Sequence, residues 1–205
     1  MRFGFGNFRS RRRREIREQT DTILRSLGDK SIVLVGLMGA GKTSIGRRLA
    51  QRLNLPFTDA DKEIEVAAGQ TISEIFAEHG EAYFRDGEKR VIARLLNNGP
   101  QVLATGGGAY MNQEIRENIE KSGISVWLRA SLETLLERTA RRDHRPLLKS
   151  GDPKTVMQRL IEERYPVYAK AHIAIQSRKV PHEVIVEEIA IALRQKLEPR
   201  AESPS

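Results

Sequence analysis

Two periods of apolar residues, one for strands and one for helices, succeed each other along this chain. Ser31-Ile32-Val33-Leu34-Val35 is a short β-branched run that stops at Gly36, the pattern of a buried strand. Behind it Ile45, Leu49 and Leu53 recur every four residues while Arg47, Arg48, Gln51 and Arg52 fall on other faces, which predicts an amphipathic helix. Further strands are predicted over 55–58, 102–104, 124–128 and 173–175. Helices are predicted from about 81 to 97, after Ser131, over about 153–165, and along Ile185, Ile189, Leu193 and Leu197. Thr71-Ile72-Ser73-Glu74 spells a capping box, and Asn97-Asn98-Gly99-Pro100 a helix stop. Strands alternating with helices predict βαβ units, hence an α/β fold with a five-stranded parallel sheet flanked by helices.

Length and composition narrow the classes. A chain of 205 residues with 39% hydrophobic and 30% charged positions fits one domain with a substantial core. No apolar run approaches the roughly 18 to 20 residues that span a bilayer, so no membrane partner is expected. The chain has no cysteine, which excludes disulfides and thiolate metal sites and fits a cytoplasmic setting. The net charge of +8 raises the question of nucleic acid. Residues 1–30 hold nine Lys/Arg against four Asp/Glu, whereas the other 175 hold 26 against 23. The excess is a property of the N-terminal extension, 1–29, with its run Arg11-Arg12-Arg13-Arg14, and reads as a solvated or loosely helical arm. Residues 30–198 form the domain proper and 199–205 a polar tail, and the near-neutral body argues against nucleic acid as a partner.

Candidate chemistry begins at Gly36-Leu37-Met38-Gly39-Ala40-Gly41-Lys42-Thr43, which matches G-x-x-x-x-G-K-[ST] without substitution between a strand and a helix. Glycines there let backbone amides close around phosphates, Lys42 reaches the β- and γ-phosphates, and the Thr43 hydroxyl can ligate Mg²⁺. No Asn-Lys-x-Asp guanine motif follows, and no later buried strand ends in the acid of a switch or motor ATPase. Asp59 and Asp61 are the remaining acidic pair, which tilts the reading from ATP hydrolysis toward phosphoryl transfer.

Taken together, the phosphate loop, Thr58-Asp59-Ala60-Asp61, Gly80-Glu81 with Phe84-Arg85, Thr105 to Gly108, Arg145-Pro146-Leu147-Leu148, and Arg164 with Tyr168 resemble the shikimate kinase family in order and spacing over roughly 30–197. That family shares the fold of the nucleoside monophosphate kinases. The resemblance implies ATP-dependent phosphorylation of the 3-hydroxyl of shikimate, with Mg²⁺, in aromatic amino-acid (chorismate) biosynthesis; a monomer acting on small molecules is expected. The resemblance also implies roles. Gly39, Ala40, Gly41, Lys42, Thr43 and Ser44 would hold ATP, with Arg138 on adenine and Arg145 on the transferring phosphoryl group. Thr43 and Asp59 would serve the metal. Asp61, Arg85, Gly106, Gly107, Gly108 and Arg164 would hold shikimate, and Asp61, Lys42 and Arg145 would be catalytic. A substrate-binding region is placed at about 61–90 and a lid at about 141–153.

Local readings compete with several of these. Asp-Ala-Asp also suits a turn and helix N-cap. Arg85 also suits an ion pair with Glu88 on its own helix, and Arg164, just before Pro166, suits a helix C-terminus, as does Arg138. Periodicity does place Arg164 on the line of Val156 and Leu160, facing the protein. Outside the resemblance proper, a gluconate or nucleoside monophosphate kinase, or an ATP-dependent nucleic-acid-binding factor, remains open.

Overall fold

The structure, a computed structural model, describes residues 5–140 and 152–198, with side chains from residue 11 except residue 13. Its elements run α1 (Phe5–Leu27), β1 (Ser31–Val35), α2 (Lys42–Leu53), β2 (Phe57–Asp59), α3 (Ala60–Ala68), α4 (Ile72–Leu96), β3 (Val102–Ala104), a 3-10 turn (Ala109–Met111), α5 (Gln113–Ser122), β4 (Gly123–Arg129), α6 (Leu132–Ala140), α7 (Pro153–Tyr168), β5 (Ile173–Gln176) and α8 (His182–Leu197). The five strands make one sheet in the order β2-β3-β1-β4-β5, and every pairing is parallel. β1 is buried along its whole length at the centre, as its unbroken apolar run requires of a strand covered on both faces.

Register decides where the chemistry falls. Asp59 at the end of β2 stands beside Ala104 at the end of β3, and Leu34 of β1 beside the same Ala104. The three segments that follow these strands therefore emerge side by side at the carboxyl edge, the usual ligand crevice of an open parallel sheet. They are the phosphate loop, the Asp59–Asp61 segment and the triple glycine.

Helix α4 starts on the capping box, with Glu74 N donating to Thr71 Oγ1 and Thr71 N donating to Glu74 Oε2. Gly80 breaks it with a φ of 79°, so the stretch from Glu81 onward has its own direction. A second, small core of Ile64, Ile75 and Phe84 packs α3 against α4, with the Phe76 and Phe84 rings 4.7 Å apart.

Three differences from the sequence reading have physical causes. β2 lies at 57–59 rather than 55–58, since its pairing with β3 starts only after the Pro56 carbonyl accepts Val102 N. α7 runs through Pro166 to Tyr168 instead of stopping before it. Proline removes one donor close to the helix end, while Tyr165 and Tyr168 pack on Trp127 with ring centroids 4.9 and 6.0 Å away and hold the last turn in place. The N-terminal arm is helical but not solvated throughout, because Ile23 and Leu27, four residues apart, are buried in the main core. Arg52 of α2, its side chain 10% exposed, fastens this end to Gln19 and Thr20 of α1 and to Glu187 of α8.

Candidate active site

The phosphate loop is shaped by backbone conformation. Gly36, Gly39 and Gly41 have φ of 138°, 81° and 96°. A Cβ on Gly36 would stand 2.7 Å from the Leu128 carbonyl oxygen, so β4 leaves that position no room for a side chain. Lys42 Nζ donates to the carbonyls of Gly36 (2.7 Å) and Leu37 (3.1 Å), folding its side chain along the loop where phosphates are expected. Ala40 is buried, and the N-cap of α2, Gly41, has no side chain with which to cap it, so the positive end of that helix faces the loop. Ser44 lies in the first turn of α2, its carbonyl accepting from Arg48. Thr43 Oγ1 donates to Asp59 Oδ2 at 2.9 Å, bringing together the two residues expected at the metal.

Arg138 does more than complement the end of α6. Its Nη1 donates to Ser177 Oγ (2.9 Å) and its Nη2 to the Arg178 carbonyl (2.9 Å), while Ser177 Oγ donates to the Ala40 carbonyl (2.8 Å). The segment between β5 and α8 is thereby tied to the phosphate loop. Burial lowers the Arg138 pKa, with Glu137 opposing it. Ser177 and Arg178 had no assigned role in the sequence reading, and their spacing carries no signal of this contact. Arg145 and most of the expected lid, 141–151, lie outside the described residues.

The opposite end is made of long charged side chains from three helices. Arg164 Nη1 of α7 donates to the Gly107 carbonyl at 2.9 Å, and the Tyr168 hydroxyl donates to the same oxygen. Arg164 thus faces inward, and the helix-terminus reading is set aside. Burial pushes the Tyr168 pKa up to about 12, so it stays a neutral donor. Arg85 of α4 lies against Gly108, where an added Cβ would meet its guanidinium nitrogens at 2.7 Å. It also pairs with Glu88 (2.7 Å) and Glu81 (3.0 Å), so the local ion-pair reading and the proximity to the glycines hold together. Burial disfavours the Arg85 charge, but Glu88 and Glu81 outweigh it and its pKa is raised. Asp61 Oδ1 of α3 lies 2.7 Å from the place a Cβ on Gly106 would occupy. Glycine at 106 and 108 is what allows Asp61 and Arg85 to reach the loop. Glu88 was foreseen only as a partner for Arg85, since its enclosure depends on the packing of α4 against its neighbours.

Amides and a lysine for phosphates at one end, and guanidinium groups beside a carboxylate at the other, suit transfer of a phosphoryl group to a small anionic alcohol. Fold and site are those of a P-loop phosphotransferase. The family model described as Shikimate kinase matches residues 38–194. A shikimate kinase of Brucella canis is 55% identical over 183 residues, covering 89% of this chain and 92% of that protein. One from Rhodopseudomonas palustris is 57% identical over 179 residues, covering 87% and 88%. Among solved structures, shikimate kinase from Acinetobacter baumannii in complex with shikimate aligns with a TM-score of 0.78 at 40% identity, over 82% of this chain and 96% of that one. A gluconokinase from Sinorhizobium meliloti, with a TM-score of 0.54 at 22% identity over 83% and 94% of the two chains, shares the fold. This chain belongs to the shikimate kinase family, and its activity is ATP-dependent phosphorylation of shikimate. Among the described residues no helix is long and apolar enough to cross a membrane.

Proposed function

We propose that the transfer takes place along the carboxyl edge of β1, β3 and β2, with ATP on the phosphate loop and the 3-hydroxyl of shikimate directed at its γ-phosphorus. Lys42 and the amides of Gly39, Ala40, Gly41, Thr43 and Ser44 hold the phosphates, and Arg138 borders the adenine. Arg145, on the lid, belongs to the same reading as a cation for the transferring group. The shikimate carboxylate lies between Arg85 and Arg164, whose forks suit a planar acid, with the Gly106–Gly108 backbone beside the ring. Asp61 orients the acceptor hydroxyl and takes its proton, an effect of about 10²- to 10⁴-fold for a positioned base.

Thr43 and Asp59 fit a Mg²⁺ ion: both offer hard oxygen donors, and 2.9 Å between them brings both to one place. Among the described residues no group of three or more His, Asp and Glu could hold a metal by itself. The remaining ligands would be phosphate and water oxygens, as Mg²⁺ commonly takes in kinase sites. Bound there, the ion neutralises phosphate charge. We place the enzyme in the cytoplasm, acting as a monomer on small molecules.

The observation that carries this reading is the convergence on the glycine loop, where Asp61 abuts Gly106, Arg164 bonds Gly107 and Arg85 abuts Gly108. The test is a coupled ADP-release assay with Mg²⁺ATP and a panel of shikimate, gluconate and nucleoside monophosphates. Turnover with shikimate alone is expected, with the product bearing phosphate on the 3-oxygen. Faster turnover of another alcohol, or phosphate on another oxygen, overturns the assignment.

A further inference from the structure

One buried acid has no part in the chemistry described so far. Glu88, its side chain 1% exposed, accepts a hydrogen bond from Arg85 on Oε2, while its Oε1 has no hydrogen-bond partner among the described residues. That bare oxygen lies 2.9 Å from the point a Cβ on Gly106 would occupy, the point that Asp61 Oδ1 approaches to 2.7 Å. Two carboxylates from different helices therefore converge on the backbone of the glycine loop.

Among the described residues, the charges facing Glu88 are Arg85 on α4, Asp61 on α3 and Arg164 on α7. Glu81 lies beyond Arg85 and is mostly exposed, and Tyr168 is neutral. Among the described residues, two guanidinium groups thus face two carboxylates. A ligand carboxylate entering between the guanidiniums adds a negative charge beside the buried Glu88 carboxylate. An uncompensated buried charge is unfavourable, and the usual relief is neutralisation of the least hydrated group. Glu88 is more enclosed than Asp61 or Glu81 and has an oxygen available for a proton. Burial already raises its pKa and Asp61 adds to the effect, against Arg85 and Arg164.

Resting on the reading that Arg85 and Arg164 take the shikimate carboxylate, we propose that Glu88 takes up a proton from solvent as that carboxylate enters, coupling acceptor binding to protonation of this side chain. Once neutral, Glu88 no longer competes with the ligand for Arg85. Its new O–H becomes a donor beside Gly106 in place of a second acceptor. The bound state then holds more protons than the free state, so affinity for shikimate falls as pH rises between the free and bound pKa values of Glu88.

Calorimetric titration of shikimate into the whole enzyme, in buffers of different ionisation enthalpy between about pH 5.5 and 8.5, counts the protons taken up per ligand. Uptake is expected to rise toward one proton, with affinity dropping by up to about tenfold per pH unit over the same interval. Glu88→Gln, which keeps the shape and cannot titrate, is expected to bind with neither the uptake nor the slope. No uptake by the wild-type enzyme overturns the inference, and so does uptake that survives in E88Q. A purely bracing role for Glu88 would lower affinity equally at all pH values, with proton count unaltered, and also overturns it. A measurement needing no variant is the wild-type enzyme labelled with ¹³C at glutamate Cδ. One glutamate carboxyl signal should move to its protonated position on adding shikimate, and absence of that movement contradicts the proposal. Failure of the underlying reading is separately visible, as unchanged shikimate affinity in Arg85→Ala whatever the proton count.

Discussion

The two ends of the active site are built from different materials. At the proposed nucleotide end the surface is backbone, bent by Gly36, Gly39 and Gly41 at positive φ and hemmed in by the Leu128 carbonyl of β4. At the proposed acceptor end it is side chains: Asp61 from α3, Arg85 and Glu88 from α4, Arg164 and Tyr168 from α7, held by ion pairs and by bonds to Gly107. Backbone surfaces are rigid and suit any polyphosphate. Charged side chains on separate helices can be exchanged singly, so they can carry the choice of acceptor without disturbing the phosphate loop.

Adding one methyl group should separate the two ends. Gly36→Ala meets a main-chain oxygen that cannot move aside, at a φ that alanine rarely adopts. A loss of about 3 kcal/mol or more in denaturant-measured stability, together with loss of ATP binding, is expected. A protein as stable as wild type would mean β4 yields at this point. Asp61→Asn should cut kcat by about 10²-fold or more while directly titrated ATP affinity holds; near-normal turnover would remove Asp61 from proton transfer. Gly108→Ala meets first the far end of Arg85, which can swing away. Its expected cost is therefore confined to the acceptor, a rise in shikimate KM of about tenfold, or about 1.4 kcal/mol. Parallel rises in both KM values would erase the distinction between the ends. Smallest in the kinetics is Arg52→Ala, which should lower stability by about 1 to 2 kcal/mol through the lost α1–α2–α8 bonds. Neither KM should change, and a shift in either would show that α1 bears on the site.

The same contrast explains what could be read in the sequence. The phosphate loop and its flanking strand and helix are local, so eight consecutive residues specify them. Strands β1, β3 and β4 follow from apolar runs buried along all or nearly all their length. Arg164 was legible as an inward residue because it continues the line of Val156 and buried Leu160. Glu88 was legible only as an i+3 neighbour of Arg85, because burial of its carboxylate results from α4 packing against α3, α5 and the glycine loop. The docked end of α1 was obscured by the arginine run ahead of it, though Ile23 and Leu27, four apart, are the signal that marks it. Helix α7 outlasts Pro166 through contacts with Trp127, a residue of β4 that local propensity does not see.

The central claim is that acceptor recognition rests on guanidinium groups that the nucleotide does not need. Steady-state kinetics of Arg85→Ala and Arg164→Ala, with ATP and shikimate varied independently, tests it most directly. Each substitution should raise the shikimate KM by about 30-fold or more, equivalent to at least about 2 kcal/mol, and leave the ATP KM within about twofold. An unchanged shikimate KM, or equal rises for both substrates, would contradict it.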